Sequence, residues 1–159
     1  MLVSARVLKW LLRFYPPLFF QRIWTVKICH DFTGITLKIS KSVFNTNYNH
    51  SIFGGTIFSA ADICYPVLFH QIFSNKGYSV AVWSRSAEIH FIKKITNKVV
   101  FSVNLSAEQI QEVEVQLNQS GKFIRYYPIV ICNMIGEVCA DLKCEVYIRD
   151  LTFTKPDSE

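Results

Sequence analysis

The sequence has no apolar run long enough to cross a bilayer as a helix, which takes about 18 to 20 residues. Its most apolar stretch, residues 7–20, is interrupted by Lys9, Arg13 and the pair Pro16-Pro17. A secretory signal needs an uninterrupted apolar segment and a small-residue cleavage site, and neither is evident. We therefore expect an intracellular, cytoplasmic protein.

Metal-binding and disulfide patterns are missing as well. The 5 cysteines are odd in number, contain no Cys-x-x-Cys pair and lie in apolar stretches, which is typical of buried free cysteines. The 4 histidines show no metal-ligand spacing. We expect no metal site.

Basic residues are in mild excess and are scattered along the chain. Lys and Arg number 17 against 12 Asp and Glu, a net charge of +5, but no nucleic-acid-binding motif appears. We expect no nucleic-acid partner, and the excess fits a solvated surface or an anionic partner. Hydrophobic residues make up 50% of the chain, which argues against disorder and predicts one domain with a real core.

Residue periodicity predicts three helices. Residues 3–20 form an amphipathic helix that the proline pair ends. Residues 54–73 are apolar on nearly every face and form a buried helix. Ser106 and Gln109 form a capping-box pattern, which opens a polar helix that stops at Gly121.

Alternating apolar and polar residues predict the strands, at residues 24–28, 35–39, 80–93, 99–105, 123–133 and 138–149. A buried helix with antiparallel strands before and after it indicates an α+β protein in which a curved sheet wraps around that helix. We divide the chain into an N-terminal helix at 1–21, a single domain at 22–150 and a frayed tail at 151–159.

The segment Phe53-Gly54-Gly55, followed by Asp62, carries the most information about function. Two glycines allow the backbone to approach a ligand closely, and unpaired N–H groups at a helix N-terminus can hold a developing oxyanion. Asp62 lies about 10 Å further along the same helix face than Gly55, too far to act on the same carbonyl. This pattern suggests thioester chemistry in which two such helices meet in a dimer.

The order of elements and this motif resemble the hotdog fold of acyl-CoA thioesterases. In the phenylacetyl-CoA thioesterase-like branch, His-Gly-Gly leads the helix and an Asp follows at this spacing. The chain resembles more closely an uncharacterised family of that superfamily, a domain of unknown function, over roughly residues 8–149. The further matching segments are Asn45-Thr46-Asn47-Tyr48, Tyr78 to Trp83, the strand positions Ala87, Ile89 and Phe91, and Tyr147-Ile148-Arg149.

The sequence departs from the family pattern at three positions near the motif. His50 replaces a glycine three positions before Phe53, and Ser84 replaces the Asp that commonly follows the tryptophan. Ile63 replaces a proline, and the proline lies instead at Pro66. Because Pro66 has no N–H, we expect it to free the carbonyl of Asp62 and to kink the helix.

The resemblance implies a hotdog fold, a curved antiparallel sheet wrapped around one long central helix, with an extra N-terminal helix. It implies hydrolysis of acyl-CoA or acyl-carrier-protein thioesters by a homodimer, or by a tetramer as a dimer of dimers, without a cofactor beyond the substrate's coenzyme A. Gly54 and Gly55 would polarise the carbonyl, and Asp62 of the partner subunit would activate water or attack directly. A buried carboxylate that ties the dimer interface is the alternative role for Asp62.

Further candidates for substrate contact lie around this motif: Asn47, His50, Phe53, Ser59, Trp83 and Ser84. Asn47 and His50 precede the helix, where they either orient Asp62 and contact substrate or shape a turn.

Ser59 bonds either Asp62 or its own helix backbone. Trp83 and Ser84 line the far side of the site, with core packing as the alternative for Trp83. A triad of Ser59, His50 and Asp62 is disfavoured, because Ser59 lacks the strand-turn-helix geometry of a nucleophile elbow.

Three interpretations remain open. The first is a thioesterase, and the second is a non-catalytic acyl-thioester or lipid binder, which the absence of a carboxylate at Ser84 favours. The third is a peripheral membrane protein in which residues 2–20 lie on anionic lipid with Arg6, Lys9 and Arg13 facing the headgroups. The same helix covers one end of the sheet in the simpler alternative.

Overall fold

The computed structural model describes residues 3–154. Its helices are α1 (Ala5–Phe14), α2 (Pro16–Phe20), α3 (Gly54–Asp62), α4 (Cys64–Asn75) and α5 (Ala107–Ser120). Its strands are β1 (Ile23–Ile28), β2 (Gly34–Ile39), β3 (Val80–Phe91), β4 (Val99–Asn104), β5 (Lys122–Cys132) and β6 (Val138–Asp150).

The strands form two antiparallel halves, in the orders β1-β2-β4 and β3-β6-β5. β4 and β5 contact each other, and α3 and α4 contact strands of both halves. The central helical segments therefore lie against the inner side of the whole sheet. The predicted α+β architecture is confirmed.

The inner face of β6 forms the middle of the core. Leu142, Val146 and Ile148 are fully buried, and Cys144 is 1% exposed. These alternate residues point toward the helices, as one face of a strand must. Their burial holds α3 and α4 in a fixed position over the sheet.

The central helix is interrupted at Ile63, where α3 ends and α4 begins. Pro66 cannot donate the hydrogen bond that the carbonyl of Asp62 would receive in a continuous helix. The hydroxyl of Ser84 donates to that carbonyl instead, with an Oγ–O distance of 3.3 Å. The helix is therefore interrupted next to Asp62, and β3 supplies the replacement donor to the Asp62 carbonyl.

The N-terminal segment differs from the single helix that the sequence predicted. Pro16 does not end the helical structure but is the first residue of α2, where a missing N–H costs nothing. Only Tyr15 separates the two helices. None of the helices within residues 3–154 has the length and hydropathy to span a membrane.

The signals around the polar helix are confirmed in detail. Ser106 Oγ accepts from the Gln109 amide at 3.2 Å, and Gln109 Oε1 accepts from the Ser106 amide at 2.9 Å. The helix ends at Gly121, whose φ of +68° suits glycine. Residues 155–159 of the predicted tail lie outside the described residues.

Candidate functional site

A cavity of about 280 Å³ opens at the N-terminus of α3. The loop before the helix contributes Asn47, the helix contributes Gly54 and Ile57, and the end of β3 contributes Phe91. Lys94 stands in the segment after β3 and also borders the cavity. Three separate parts of the chain thus meet at the Gly-Gly motif.

The amides of Gly54 and Gly55 are free to bind a ligand. Phe53 is the N-cap residue, and its carbonyl accepts from the amides of Thr56 and Ile57, at 2.9 and 3.4 Å. Within residues 3–154, no acceptor lies within hydrogen-bond distance of the Gly54 or Gly55 N–H. Two unpaired donors at the positive end of a helix form an anion-binding geometry beside the cavity.

Both glycines are packed closely by aromatic rings. A Cβ on Gly54 would lie 2.9 Å from Cζ of Phe91, and a Cβ on Gly55 would lie 2.4 Å from Cε1 of Phe53. The contact with Phe91 joins the start of α3 to the end of β3. The first turn of the helix and the edge of the sheet therefore form one structural unit.

Asn45 fixes the loop that leads into α3. Its side chain is 2% exposed, and Nδ2 donates to the carbonyls of Gln21 and Ser40 at 2.8 and 3.0 Å. Its own carbonyl accepts from the Phe53 amide at 2.7 Å. A buried, fully bonded asparagine of this kind sets where the helix begins.

Asn47 and His50 have local roles in that loop. The Asn47 side-chain oxygen accepts from the amides of Asn49 and Ser51, at 3.0 and 3.1 Å, and from the Ser51 hydroxyl. His50 is exposed and has a φ of +58°. Neither side chain bonds Asp62 in the described part of the chain. The structure nevertheless places Asn47 in the cavity wall.

Asp62 is half-buried at the C-terminal end of α3. Its carboxylate has no hydrogen-bond or ion-pair partner among residues 3–154, and it acts electrostatically on the thiols of Cys64 and Cys144. Burial, reinforced by the Asp62 charge, raises the pKa of Cys144 to about 11. Burial likewise raises the pKa of Cys64, so both thiols are neutral at ordinary pH.

Ser59 and Trp83 do not join Asp62. The Ser59 hydroxyl donates to the Gly55 carbonyl at 2.8 Å, one turn back in its own helix. Trp83 lies between two inward-facing residues of β3, so its side chain is on the outer face of the sheet. There its ring centroid is 4.4 Å from that of Tyr147. Of the candidates on β3, only Ser84 contacts the Asp62 segment.

Residues that the sequence interpretation did not assign to the site include Lys93 and Lys94, which border the cavity. Lys93 forms an ion pair with Glu137. Phe91 was identified only as a strand position. In the sequence, these three residues are visible only as an aromatic residue and two lysines at the end of a predicted strand. Only the tertiary fold brings them to the cavity that Gly54 lines.

Strand β3 has one free edge, because within the described residues it pairs only with β6. Its inward-facing residues become exposed toward the strand end. Ala87 is exposed although its cross-strand neighbour Cys144 is buried, and Phe91 is 55% exposed although its neighbour Ala140 is fully buried. This edge is continuous with the cavity through the contact between Phe91 and Gly54.

Solved structures share this architecture across nearly the full chain, and the predicted hotdog fold is confirmed. One is PA5026 of Pseudomonas aeruginosa, a protein of unknown function described as a probable thioesterase. It has a TM-score of 0.83 at 16% identity, and the match covers 94% of this chain and 98% of the PA5026 chain. Thioesterase HI1161 of Haemophilus influenzae has a TM-score of 0.69 at 11% identity, covering 96% and 95%. PaaI of Escherichia coli, from the phenylacetic acid degradation operon, has a TM-score of 0.58 at 12% identity, covering 96% and 100%.

The chain belongs to the family described as Domain of unknown function (DUF4442), whose model matches residues 5–125. At such low identities the solved structures establish the fold alone. No curated protein gives a significant sequence match. The activity therefore has to be argued from the site itself.

Proposed function

We propose that the protein hydrolyses acyl thioesters of coenzyme A or of acyl carrier protein. The observation that supports this most strongly is the pair of unpaired amides at Gly54 and Gly55 at the positive end of a helix, where Gly54 lines the cavity. Such donors stabilise the oxyanion of a tetrahedral intermediate, and one of them is typically worth about 10²–10³ in rate. Thioesterase descriptions of proteins with the same fold support the same reaction class.

In the proposed reaction, water attacks the thioester carbonyl and the new oxyanion accepts hydrogen bonds from both glycine amides. Asp62 takes a proton from that water and returns it to the departing sulfur as the C–S bond breaks. Direct attack by the Asp62 carboxylate, with a mixed anhydride that water then cleaves, is the alternative route. Either route releases a carboxylic acid and a thiol.

The two parts of the site come from different subunits in this proposal. Asp62 lies about two helical turns from Gly55, roughly 10 Å along the same helix, so it does not reach a carbonyl held by its own Gly54 and Gly55. We propose a homodimer in which the free edges of two β3 strands pair and bring Asp62 of one subunit to the glycines of the other. The exposure of Phe91 and Ala87 on the inner face supports this arrangement, because a partner would cover them.

A second candidate function is binding of an acyl thioester without hydrolysis. Ser84 supplies a hydroxyl where the resembling family commonly has a carboxylate, and this hydroxyl is bonded to the Asp62 backbone. Ser84 therefore supplies no second carboxylate beside Asp62. Acyl-CoA that binds and is recovered intact would favour this function over hydrolysis.

The experiment follows loss of thioester absorbance across short, aromatic and long acyl-CoAs for the native protein and Asp62→Asn. Absorbance is preferable to a thiol reagent because the chain has 5 cysteines. We expect turnover by the native protein and a loss of at least roughly 100-fold in the variant. Asp141→Asn, which changes a carboxylate on β6 away from the cavity, is the matched control. Equal rates for Asp62→Asn and Asp141→Asn would remove Asp62 from the mechanism.

A further inference from the structure

The N-terminal part of the chain is positively charged and contains no acid. No Asp or Glu precedes Asp31, and the basic residues before it are Arg6, Lys9, Arg13, Arg22 and Lys27. The chain as a whole carries 12 acidic residues against 17 basic ones. This end is therefore complementary to an anionic surface. The rest of the chain is less so, because its basic residues are mixed with acidic ones.

Helix α1 has three faces, since successive residues are about 100° apart. Ala5 and Leu8 form a buried face, with Leu12 beside them against the core. A second face carries the basic residues Arg6, Lys9 and Arg13. The third face is apolar and open to solvent: Val7 is 47% exposed, Trp10 46%, Leu11 51% and Phe14 66%.

This division corrects the simpler expectation that the apolar side of the helix only covers the sheet. Leu8 and Leu12 do so, and α1 packs on β1. Val7 and Leu11 point outward instead. The helix has more apolar surface than the domain covers.

The exposed apolar surface continues through the bend at Tyr15. Tyr15 is 52% exposed and Phe20, at the end of α2, is 61% exposed. The rings of Trp10 and Phe14 stack with their centroids 6.0 Å apart, and Phe14 is 6.5 Å from Phe19. We call the set of Val7, Trp10, Leu11, Phe14, Tyr15 and Phe20 the N-terminal amphipathic surface, with its basic border of Arg6, Lys9 and Arg13.

The basic border is held directly beside the aromatic rings. The Arg13 guanidinium lies 4.9 Å from the ring centroid of Trp10 and 5.8 Å from that of Trp24. Arg22 also lies over the Trp24 ring, at 5.8 Å. Aromatic rings with adjacent fixed cations match the boundary between lipid headgroups and acyl chains, where Trp and Tyr are enriched and phosphates are close by.

We propose that the N-terminal amphipathic surface binds an anionic phospholipid membrane, with α1 and α2 lying in the plane of the interface. The apolar side chains enter the upper acyl region, while Arg6, Lys9 and Arg13 contact phosphate and carboxylate groups of the lipids. With 10 residues, α1 is too short to cross the bilayer. The proposal is independent of whether the cavity hydrolyses thioesters.

The test is co-sedimentation of the full chain with phosphatidylcholine vesicles that contain or lack phosphatidylserine. We expect binding to the anionic vesicles, weaker binding to pure phosphatidylcholine, and release at high salt. Trp10→Ser with Phe14→Ser should weaken binding at least roughly tenfold. Arg6→Gln with Lys9→Gln should weaken it by about fivefold per charge removed, and only on anionic vesicles.

Matched controls use equally exposed residues elsewhere. Val115→Ser with Leu151→Ser removes apolar surface, and Lys122→Gln with Lys143→Gln removes two positive charges. Both should bind vesicles like the native protein. The proposal is wrong if the native chain shows no preference for anionic vesicles or if the N-terminal and control variants bind alike. It is equally wrong if Trp10→Ser with Phe14→Ser abolishes lipid-independent self-association in light scattering, because the surface would then bind a second copy.

Discussion

At the scale of single residues, His50 holds a backbone conformation that glycine usually supplies. Its φ of +58° lies in the left-handed region, where a Cβ crowds the neighbouring carbonyl. The chain therefore carries local backbone strain at His50.

Replacing His50 with glycine should raise the free energy of unfolding by up to about 1 kcal/mol, because the relief of strain exceeds the added freedom of the unfolded chain. Urea denaturation measures this change. Asn49→Gly is the control: Asn49 is outside the positive-φ region, so its replacement should lower stability. A loss of stability in both variants would contradict the interpretation.

Gly54 offers a test of a single amide. It is the first residue of α3, where proline is tolerated, and Phe53, with φ −60° and ψ 133°, already has a conformation allowed before proline. Gly54→Pro deletes the N–H, whereas Gly54→Ala keeps it and places a Cβ against the same Phe91 ring. We expect the proline variant to lose about 10²–10³ in kcat while the alanine variant keeps most of it. Equal losses in the two variants would assign the effect to packing.

At the scale of elements, the break between α3 and α4 links the helix to β3. The Asp62 carbonyl, which Pro66 leaves without its helical donor, is bonded by Ser84. The backbone of Asp62 is thereby held by a residue 22 positions away in the sequence. The Ser84 hydroxyl is a donor that a carboxylate at this position would lack.

We expect His70 on α4 to make the stability of the fold dependent on pH. It lies beside Leu8 of α1 and Val82 of β3, and burial lowers its pKa below the ordinary value of 6.5. The folded state thus binds the proton less readily than the unfolded state, so stability present above the ordinary pKa is lost as the pH falls. Unfolding in urea between about pH 7.5 and 5.5 should show this loss. The variant His70→Gln should lose less stability over this pH range than the native protein. The control variant His30→Gln, at an exposed turn, should lose as much as the native protein.

Local signals account for the elements that were predicted correctly. Strand alternation and the Ser106 capping box depend on neighbouring residues, so their positions follow from short segments of sequence. The proline pair was ambiguous, because Pro16 ends one helix and also suits the first turn of another. Sequence reasoning chose the first role, and the structure shows both.

The candidate site was only partly predictable, because local sequence signals identify some of its residues and long-range contacts bring in the others. The Gly-Gly motif and Asp62 are local patterns with a local chemical meaning. Phe91 and Lys94 reach the cavity beside Gly54 only because the chain turns back after α4 and β3 returns to the start of α3. The outward position of Trp83 depends on the register of β3 against β6. Contacts of this range are set by the tertiary fold, which no short segment encodes.

At the scale of the whole molecule, two exposed surfaces of the described chain are proposed to bind partners. One is the edge of β3 with the exposed Ala87 and Phe91, and the other is the N-terminal amphipathic surface. The first is continuous with the cavity through Gly54, whereas the second lies on elements that contribute no residue to the cavity. We therefore assign them different partners, a second subunit and a lipid surface.

The most direct test of the composite site is complementation between two inactive variants. Asp62→Asn and Gly54→Pro are each purified, mixed, unfolded together and refolded, and mixed dimers are counted by native mass spectrometry. If Gly54 of one subunit acts with Asp62 of the other, half of the dimers are mixed and each has one intact site. The account then predicts recovery of about a quarter of the native acyl-CoA hydrolysis rate. Mixed dimers without recovered activity would contradict it.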